Sequence, residues 1–300
     1  MGLRFKKTGA FFLTLQTMNY LNQNSILHFI SEAIKEDIGD GDHTSLSCIP
    51  ANEKGKAQLY IKDDGILAGI ELARHIFNFV NPDIHIDFYK KDGDQVRFGE
   101  KAFAVHGDIQ DILKSERLVL NCMQRMSGIA TYTNKLARLI SHTSARLLDT
   151  RKTTPNFRIP EKWAVAIGGG VNHRFGLYDM ILLKDNHIDF AGGVGQAIQA
   201  ANEYLQRTGK TLKIEVETRS LEEVQEALDT GGIFRIMLDN MSVEEMTEAV
   251  RMINKRYETE ASGGITEETI VDIAETGVDY ISVGALTHSI KSLDLSLKAI

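Results

Sequence analysis

The sequence predicts an α/β protein in two parts, an incomplete (β/α) barrel preceded by a small α+β domain. Three observations carry this prediction. After Arg146, short apolar strands alternate with helices, whereas before it hairpin-like strands mix with helices. Glu217, Asp239, Ser262 and Gly284 follow one another at intervals of 22, 23 and 22 residues, the length of one strand-plus-helix unit, and each closes a predicted strand. From Arg146 the chain has room for roughly six or seven such units but hardly for the eight of a closed barrel. An open doubly wound sheet is the alternative, but no Gly-rich dinucleotide turn follows the first strand.

Taken in order, residues 1–18 read as an extension expected to be disordered. Arg4, Lys6 and Lys7 before an apolar piece imitate a secretory signal, but the piece is short and Gln16 follows without a small-residue cleavage site. Residues 19–129 form the α+β domain. In it Ser25 caps a helix to Glu36, with Ile26, Phe29, Ile30, Ala33 and Ile34 at helical spacing. Asp40, Asp42 and His43 invite a metal reading, but Gly-Asp repeats make a turn and Asp caps neighbouring backbone. Residues 56–61 and 95–98 read as strands, with Asp92-Gly93-Asp94 as a turn between them, and Glu71–Val80 reads as a helix stopped by Asn81-Pro82. Asp108 caps a long helix toward Met126, a break is expected at Gly128, and a helix resumes at Asn134.

Residues 130–288 form the incomplete barrel, with strands at 147–149, 180–184, 213–217, 236–239, 259–262 and 280–284. Helices at 221–228, 243–253 and 267–275 lie between them. Residues 289–300 form a tail able to pack back on the first domain.

Composition narrows the function. The 300 residues are 43% hydrophobic, which provides ample core, and 41 acids exceed 34 bases, giving a net charge of −7 that argues against nucleic acid as the main partner. No apolar run approaches membrane-spanning length. Cys48 and Cys122 lie far apart without a CxxC pattern, which implies inert thiols in a reducing cytoplasm rather than a disulfide framework or zinc site.

Against this acidic background, residues 149–187 gather Arg151, Lys152, Arg158, Lys162, Arg174 and Lys184, with His173 and His187, around Pro155, Gly168, Gly169, Gly170 and Gly176. Two apolar runs enter and leave this stretch, so its cations sit near two strand ends. That suits a small polyanion, carboxylate or phosphate, better than a solvated basic loop does. Glu215 and Glu217 are two apart on a strand and share a face. Buried carboxylates need cations or a metal, and Lys152 and Lys184 from other strand ends are candidate partners. Glu217 and Asp239 could instead hold Mg²⁺ together with substrate phosphates; an internal salt-bridge network is the competing reading. Ser262-Gly263-Gly264 and Val283-Gly284-Ala285 each follow a strand, as backbone anion sites do, and two such turns on successive strands could clamp one phosphate. His187 and Asn172 read as loop-bracing groups as readily as catalytic ones.

Seven ordered blocks resemble those of one family, quinolinate phosphoribosyltransferase. They begin with DTRKTTP at 149–155, GGGVNHR at 168–174 and LKDNH at 183–187. Then follow IEVE at 214–217 with LDN at 238–240, EASGGI at 260–265, and ISVG at 281–284. The resemblance runs from about Asn19 to the C-terminus. Asn156 departs from the pattern, standing where a glycine is expected, and asparagine tolerates left-handed backbone.

The resemblance implies transfer of phosphoribosyl from phosphoribosyl pyrophosphate to quinolinate, with decarboxylation to nicotinate mononucleotide in NAD biosynthesis. It implies Mg²⁺ and no organic cofactor. It assigns Arg117, Arg151, Lys152, His173, Arg174 and Lys184 to quinolinate or pyrophosphate, and Ser262, Gly263, Val283 and Gly284 to the 5′-phosphate. Lys152, Lys184, Glu217 and Asp239 become the catalytic set, with the two acids stabilising the ribosyl cation directly or through the metal. It further implies a homodimer, or a higher oligomer, in which Arg117 completes the partner's site. Three other readings compete: a phosphoribosyltransferase for nicotinate or a paralogue associated with molybdate transport, a Schiff-base aldolase using Lys152 or Lys184, and a non-catalytic nucleotide sensor.

Overall fold

The computed structural model describes residues 20–300, so the expectations for residues 1–18 lie outside it. The described residues divide into two compact units. The first runs up to Asn134 and adds Thr153–Gly169 and Leu286–Ile300; the second is Lys135–Lys152 with Gly170–Ala285. The division thus differs from a single boundary at 129/130. The chain leaves the second unit after Lys152, returns to the first for one helix, and comes back at Gly170.

In the first unit, helix α1 (Gln23–Ile38) is capped by Asn22, whose side chain accepts the Ser25 N–H, so the cap lies three residues earlier than expected. Asp42 caps the short α2 (His43–Cys48) through Ser45, and the Gly-Asp segment is a turn and cap. The strands β1 (Lys54–Ile61), β3 (His85–Phe88), β5 (Lys101–Asp108) and β12 (Leu295–Ala299) form one antiparallel sheet in the order β12-β1-β5-β3. The C-terminal tail is therefore an edge strand of the first unit. Strands β2 (Gly65–Ile66) and β4 (Gln95–Val96) pair separately, so 56–61 and 95–98 are not partners.

Helix α3 (Ile70–Val80) covers this sheet with Phe77, whose ring meets Phe103 edge-on at a centroid distance of 6.0 Å. Both are fully buried, and each contributes about 1.5–3 kcal/mol by leaving water. Asp92 caps α3 from a distance, accepting the Ile70 and Glu71 N–H groups.

Helix α4 (Ile109–Leu139) is continuous through Gly128. The break expected there is absent because Gly128 is a packing glycine: a β-carbon would strike the Lys291 carbonyl. That close approach outweighs the helix cost of about 1 kcal/mol for glycine. Helix α5 (Arg158–Ile167) is tied to α4 by Glu161, fully buried, which accepts two N–H groups of Arg125 and the Thr154 N–H and hydroxyl.

The second unit holds six parallel strands: β6 (Arg146–Leu148), β7 (Ile181–Leu183), β8 (Ile214–Thr218), β9 (Arg235–Asp239), β10 (Glu258–Ser262) and β11 (Tyr280–Ser282). Their order is β6-β11-β10-β9-β8-β7, and β6 and β7 do not pair, so the barrel is open. Val171 adds a single parallel bridge to Leu148 on the free side of β6. Helices α6 (Asp185–Ala191), α7 (Val194–Thr208), α8 (Leu221–Thr230), α9 (Val243–Ile253), α10 (Ile270–Glu275) and the short α11 (Ala285–His288) follow their strands. Among the described residues no helix is long and apolar enough to cross a membrane.

Candidate active site

The middle strands of the second unit have two unlike faces. Register pairs Glu215 with Arg235, Glu217 with Met237, Arg235 with Glu258 and Asp239 with Ser262. Because side chains alternate along a strand, Glu215, Glu217, Arg235, Asp239, Glu258, Glu260 and Ser262 share one face. Ile214, Val216, Ile236, Leu238 and Ala261 occupy the other and are buried. The charged face has two layers, one inside the strands and one at their C-terminal ends.

The inner layer is a dry ionic cluster. Arg235 Nη1 lies 3.0 Å from Glu260 Oε2 and 3.7 Å from Glu215 Oε2, while Nη2 meets Glu258 at 2.7 Å. Its guanidinium carbon sits 4.3 Å from the centroid of the Tyr280 ring. His173 Nε2 lies 3.0 Å from Glu215 and 3.4 Å from Glu260. Burial disfavours charge on His173, but the two carboxylates outweigh it and push its pKa up to about 9. Glu215 is pushed up to about 7, first by burial and then by the charge of Glu260. Nδ1 of His173 accepts the Arg174 N–H at 2.7 Å, which requires a lone pair there. On this geometry the ring proton sits on Nε2, which faces the two acids. His173, Glu215 and Glu260 have the chemistry of a metal site, but the Arg235 guanidinium already supplies their cation.

The chain reaches His173 through Asp149, fully buried at the end of β6. Its carboxylate accepts the His173 N–H at 2.9 Å and the Asn172 amide at 2.5 Å. Asn172 is thus a brace. Arg174 donates from Nη1 to the Met180 carbonyl at 3.1 Å. Its pKa is lowered by burial and then by the charge of Arg151. Arg151 Nε is buried and has no hydrogen-bond partner among the described residues. A buried donor without a partner costs about 1–3 kcal/mol, and a second cation beside it adds repulsion; a bound anion would remove both costs.

At the strand ends Lys184, just past β7, reaches Glu217 at 3.5 Å, and the Asp185 N–H donates to the same carboxylate at 3.3 Å. Burial raises the Glu217 pKa, Lys184 lowers it, and Asp239 raises it again. Asp239, partly exposed at the end of β9, accepts the Asn240 amide at 2.7 Å. His187 Nδ1 accepts the Lys184 N–H at 3.1 Å, a loop brace. Lys152 is exposed after β6, and the cations seen beside Glu215 are His173 and Arg235.

Ser262 and Gly263 close β10, and its carbonyl accepts the Asn240 N–H at 2.9 Å. Gly263 has φ +98°, and a β-carbon there would strike the Asn240 side chain, so glycine is required on both counts. Gly264 has φ +60° with open space around it. After β11 the Val283 N–H is committed to the Leu148 carbonyl at 3.0 Å and is not an anion donor; Gly284 and Ala285 follow, partly exposed. Asn156 adopts φ +61°, the left-handed turn anticipated at that position. Arg117 is exposed on α4 in the first unit, apart in the chain from the other candidates, all of which belong to the second. The sequence reading missed Arg235 and Glu260. Their signal was parity: positions 235, 237, 239 and 258, 260, 262 each share a face.

Comparison with known proteins agrees with this arrangement. The quinolinate phosphoribosyl transferase C-terminal domain matches residues 129–298, and the N-terminal domain of the same family matches residues 42–127. A mitochondrial quinolinate phosphoribosyltransferase [decarboxylating] of Nicotiana tabacum is 49% identical over 281 residues, covering 89% of this chain and 80% of the relative. A probable nicotinate-nucleotide pyrophosphorylase [carboxylating] of Bacillus subtilis is 42% identical, covering 93% and 94%. The solved nicotinate-nucleotide pyrophosphorylase of Francisella tularensis superposes with a TM-score of 0.85 at 39% identity, covering 93% of this chain and 98% of that one. By both of its domains and by its relatives, the chain belongs to the quinolinate phosphoribosyltransferase family.

Proposed function

We propose that the chain transfers phosphoribosyl from phosphoribosyl pyrophosphate to quinolinate, releasing pyrophosphate and CO₂ and leaving nicotinate mononucleotide. The observation that carries this reading is Arg151, whose buried Nε lacks a hydrogen-bond partner among the described residues and whose charge acts on Arg174. Paired guanidinium groups match the carboxylates of a pyridine diacid. Lys152 and Lys184 balance charge on acceptor and departing pyrophosphate. Glu217 and Asp239, at neighbouring strand ends, would stabilise the positive charge that develops on the ribose as its anomeric C–O bond breaks. Such fixed charges need no reorganisation during reaction. Once the ring nitrogen is ribosylated and cationic, it accepts the electron pair left as the C–CO₂⁻ bond breaks.

Two oxygen-donor acids at neighbouring strand ends, only partly balanced by Lys184, fit Mg²⁺. Glu217 and Asp239 would hold it, and when bound it would neutralise charge on the pyrophosphate. Ser262, Gly263 and Gly264, with Gly284 and Ala285, offer backbone for the 5′-phosphate, and Val283 lies beneath. We take the compartment to be the cytoplasm, because neither Cys48 nor Cys122 is in a disulfide; cell fractionation tests this.

Arg117 supports a symmetric dimer, since it lies exposed in the first unit while the other cations lie in the second. Mixing Arg117→Ala subunits with Lys152→Ala subunits, each inactive alone, should restore activity at sites that inherit neither lesion. No recovery despite subunit exchange would refute the shared site. The reaction itself is tested by incubating the protein with quinolinate, phosphoribosyl pyrophosphate and Mg²⁺: equimolar nicotinate mononucleotide, pyrophosphate and CO₂ are expected, and their absence would overturn the proposal.

A further inference from the structure

The inner ionic cluster has no role in the chemistry described so far, and folding alone does not require it. Glu215 and Glu260 are fully buried, and Arg235 nearly so. Oε1 of Glu215 and Oε1 of Glu260 have no hydrogen-bond partner among the described residues, while the Oε2 atoms face His173 and Arg235. Ionic groups this deep give back in attraction little more than they lose in hydration, and apolar residues of similar volume commonly do as well. The cluster therefore needs another reason to exist, and its contacts give one. Glu215 and Glu260 converge on one ring nitrogen of His173. The other ring nitrogen takes the Arg174 N–H, and the His173 N–H is fixed by Asp149. The His173 side chain is 6% exposed, so its ring is almost wholly enclosed by protein.

We propose that Glu215, Glu260 and Arg235 are positioning residues for the acceptor: they hold the His173 ring, and through it the backbone of Arg174, whose guanidinium grips one acceptor carboxylate. The proposal rests on the reading of Arg151 and Arg174 as the diacid site. The chain of contacts runs from the Tyr280 ring under Arg235, to Glu260 and Glu215, to His173 and then to Arg174. Every link except the last lies below the strand ends, so the phosphoribosyl side of the site does not share it.

Steady-state kinetics on Glu215→Gln, Glu260→Gln and Glu258→Gln test this. Glu258 binds the same arginine through the other terminal nitrogen, Nη2, and so controls for simple loosening of the cluster. KM for quinolinate should rise about tenfold or more in the first two variants, the usual worth of a hydrogen bond to a charged group. KM for phosphoribosyl pyrophosphate should stay within about twofold, and Glu258→Gln should leave both constants near wild type. Adding Glu215→Gln to His173→Gln should cause little further loss, since the glutamate acts through the histidine. Equal shifts for both substrates, additive effects with His173→Gln, or an equal effect of Glu258→Gln would each overturn the proposal. Should the glutamine variants not fold, Arg235→Lys keeps the charge and loosens the fork on Glu260; it must raise the quinolinate KM selectively or the proposal fails. Failure of wild-type protein to consume quinolinate would instead overturn the functional reading beneath it.

Discussion

Glu215 and Glu217 are two residues apart on one strand and point to one face, yet they do different work. Glu215 is fully buried among Arg235, Glu260 and His173, while Glu217 stands half a layer higher with Lys184 and the Asp185 N–H. Two residues of strand separate a carboxylate enclosed by protein charges from one at the strand end, which on the proposed reaction would face a substrate. The lesson is that carboxylate type and face do not decide role; depth along the strand does. Inside the strands a charge must be matched by protein, because nothing else reaches it. At the strand ends it can be matched by a ligand.

The largest effect expected on this comparison is in stability. Arg235→Ala leaves Glu215 and Glu260 without their cation, and breaking a buried pair in this way costs about 3–5 kcal/mol. Chemical denaturation of the second unit should show it, and a variant as stable as wild type would mean the inner cluster is not ionic. Next comes the strand-end acid. Glu217→Gln keeps shape and removes charge, so kcat should fall about 10²–10³-fold with quinolinate affinity little changed. Normal turnover with weakened quinolinate binding would reverse the assignment of the layers.

A smaller effect sharpens the rule by testing it outside the site. Asp92 is partly buried at the start of α3, and loss of water, against the Ile70 and Glu71 N–H groups, pushes its pKa up to about 6 from 3.8. The folded state thus prefers Asp92 protonated. Its contribution is fully present below the unfolded value and lost as pH rises through about 6, a decline of about 3 kcal/mol. Asp92→Asn should flatten the stability–pH profile between those limits; an unchanged slope would show that its two capping bonds already offset burial.

Much of this was legible in the sequence. The regular spacing of Glu217, Asp239, Ser262 and Gly284 located four strand ends, because a strand plus a helix consumes a nearly fixed length of chain. Cations at 151, 174 and 184 stood out against an acidic background. What stayed hidden depends on register and on distant contacts. A strand begun at Ile236 omits Arg235, and without it Glu260 has no visible partner. The return of residues 153–169 to the first unit rests on the Arg125–Glu161 pair, 36 residues apart, which no local pattern announces. Gly128 reads as a helix breaker until the Lys291 carbonyl is seen against it.

The account turns on a site built for two carboxylates rather than one, and acceptor discrimination measures that directly. With phosphoribosyl pyrophosphate and Mg²⁺ saturating, pyrophosphate release should be compared for quinolinate and for nicotinate, which keeps the ring and loses one carboxylate. A guanidinium left unpaired by the missing group should cost on the order of 3–5 kcal/mol, or more than a hundredfold in kcat/KM. A ratio of that size in favour of quinolinate is the predicted result, and equal use of the two acids would contradict the account.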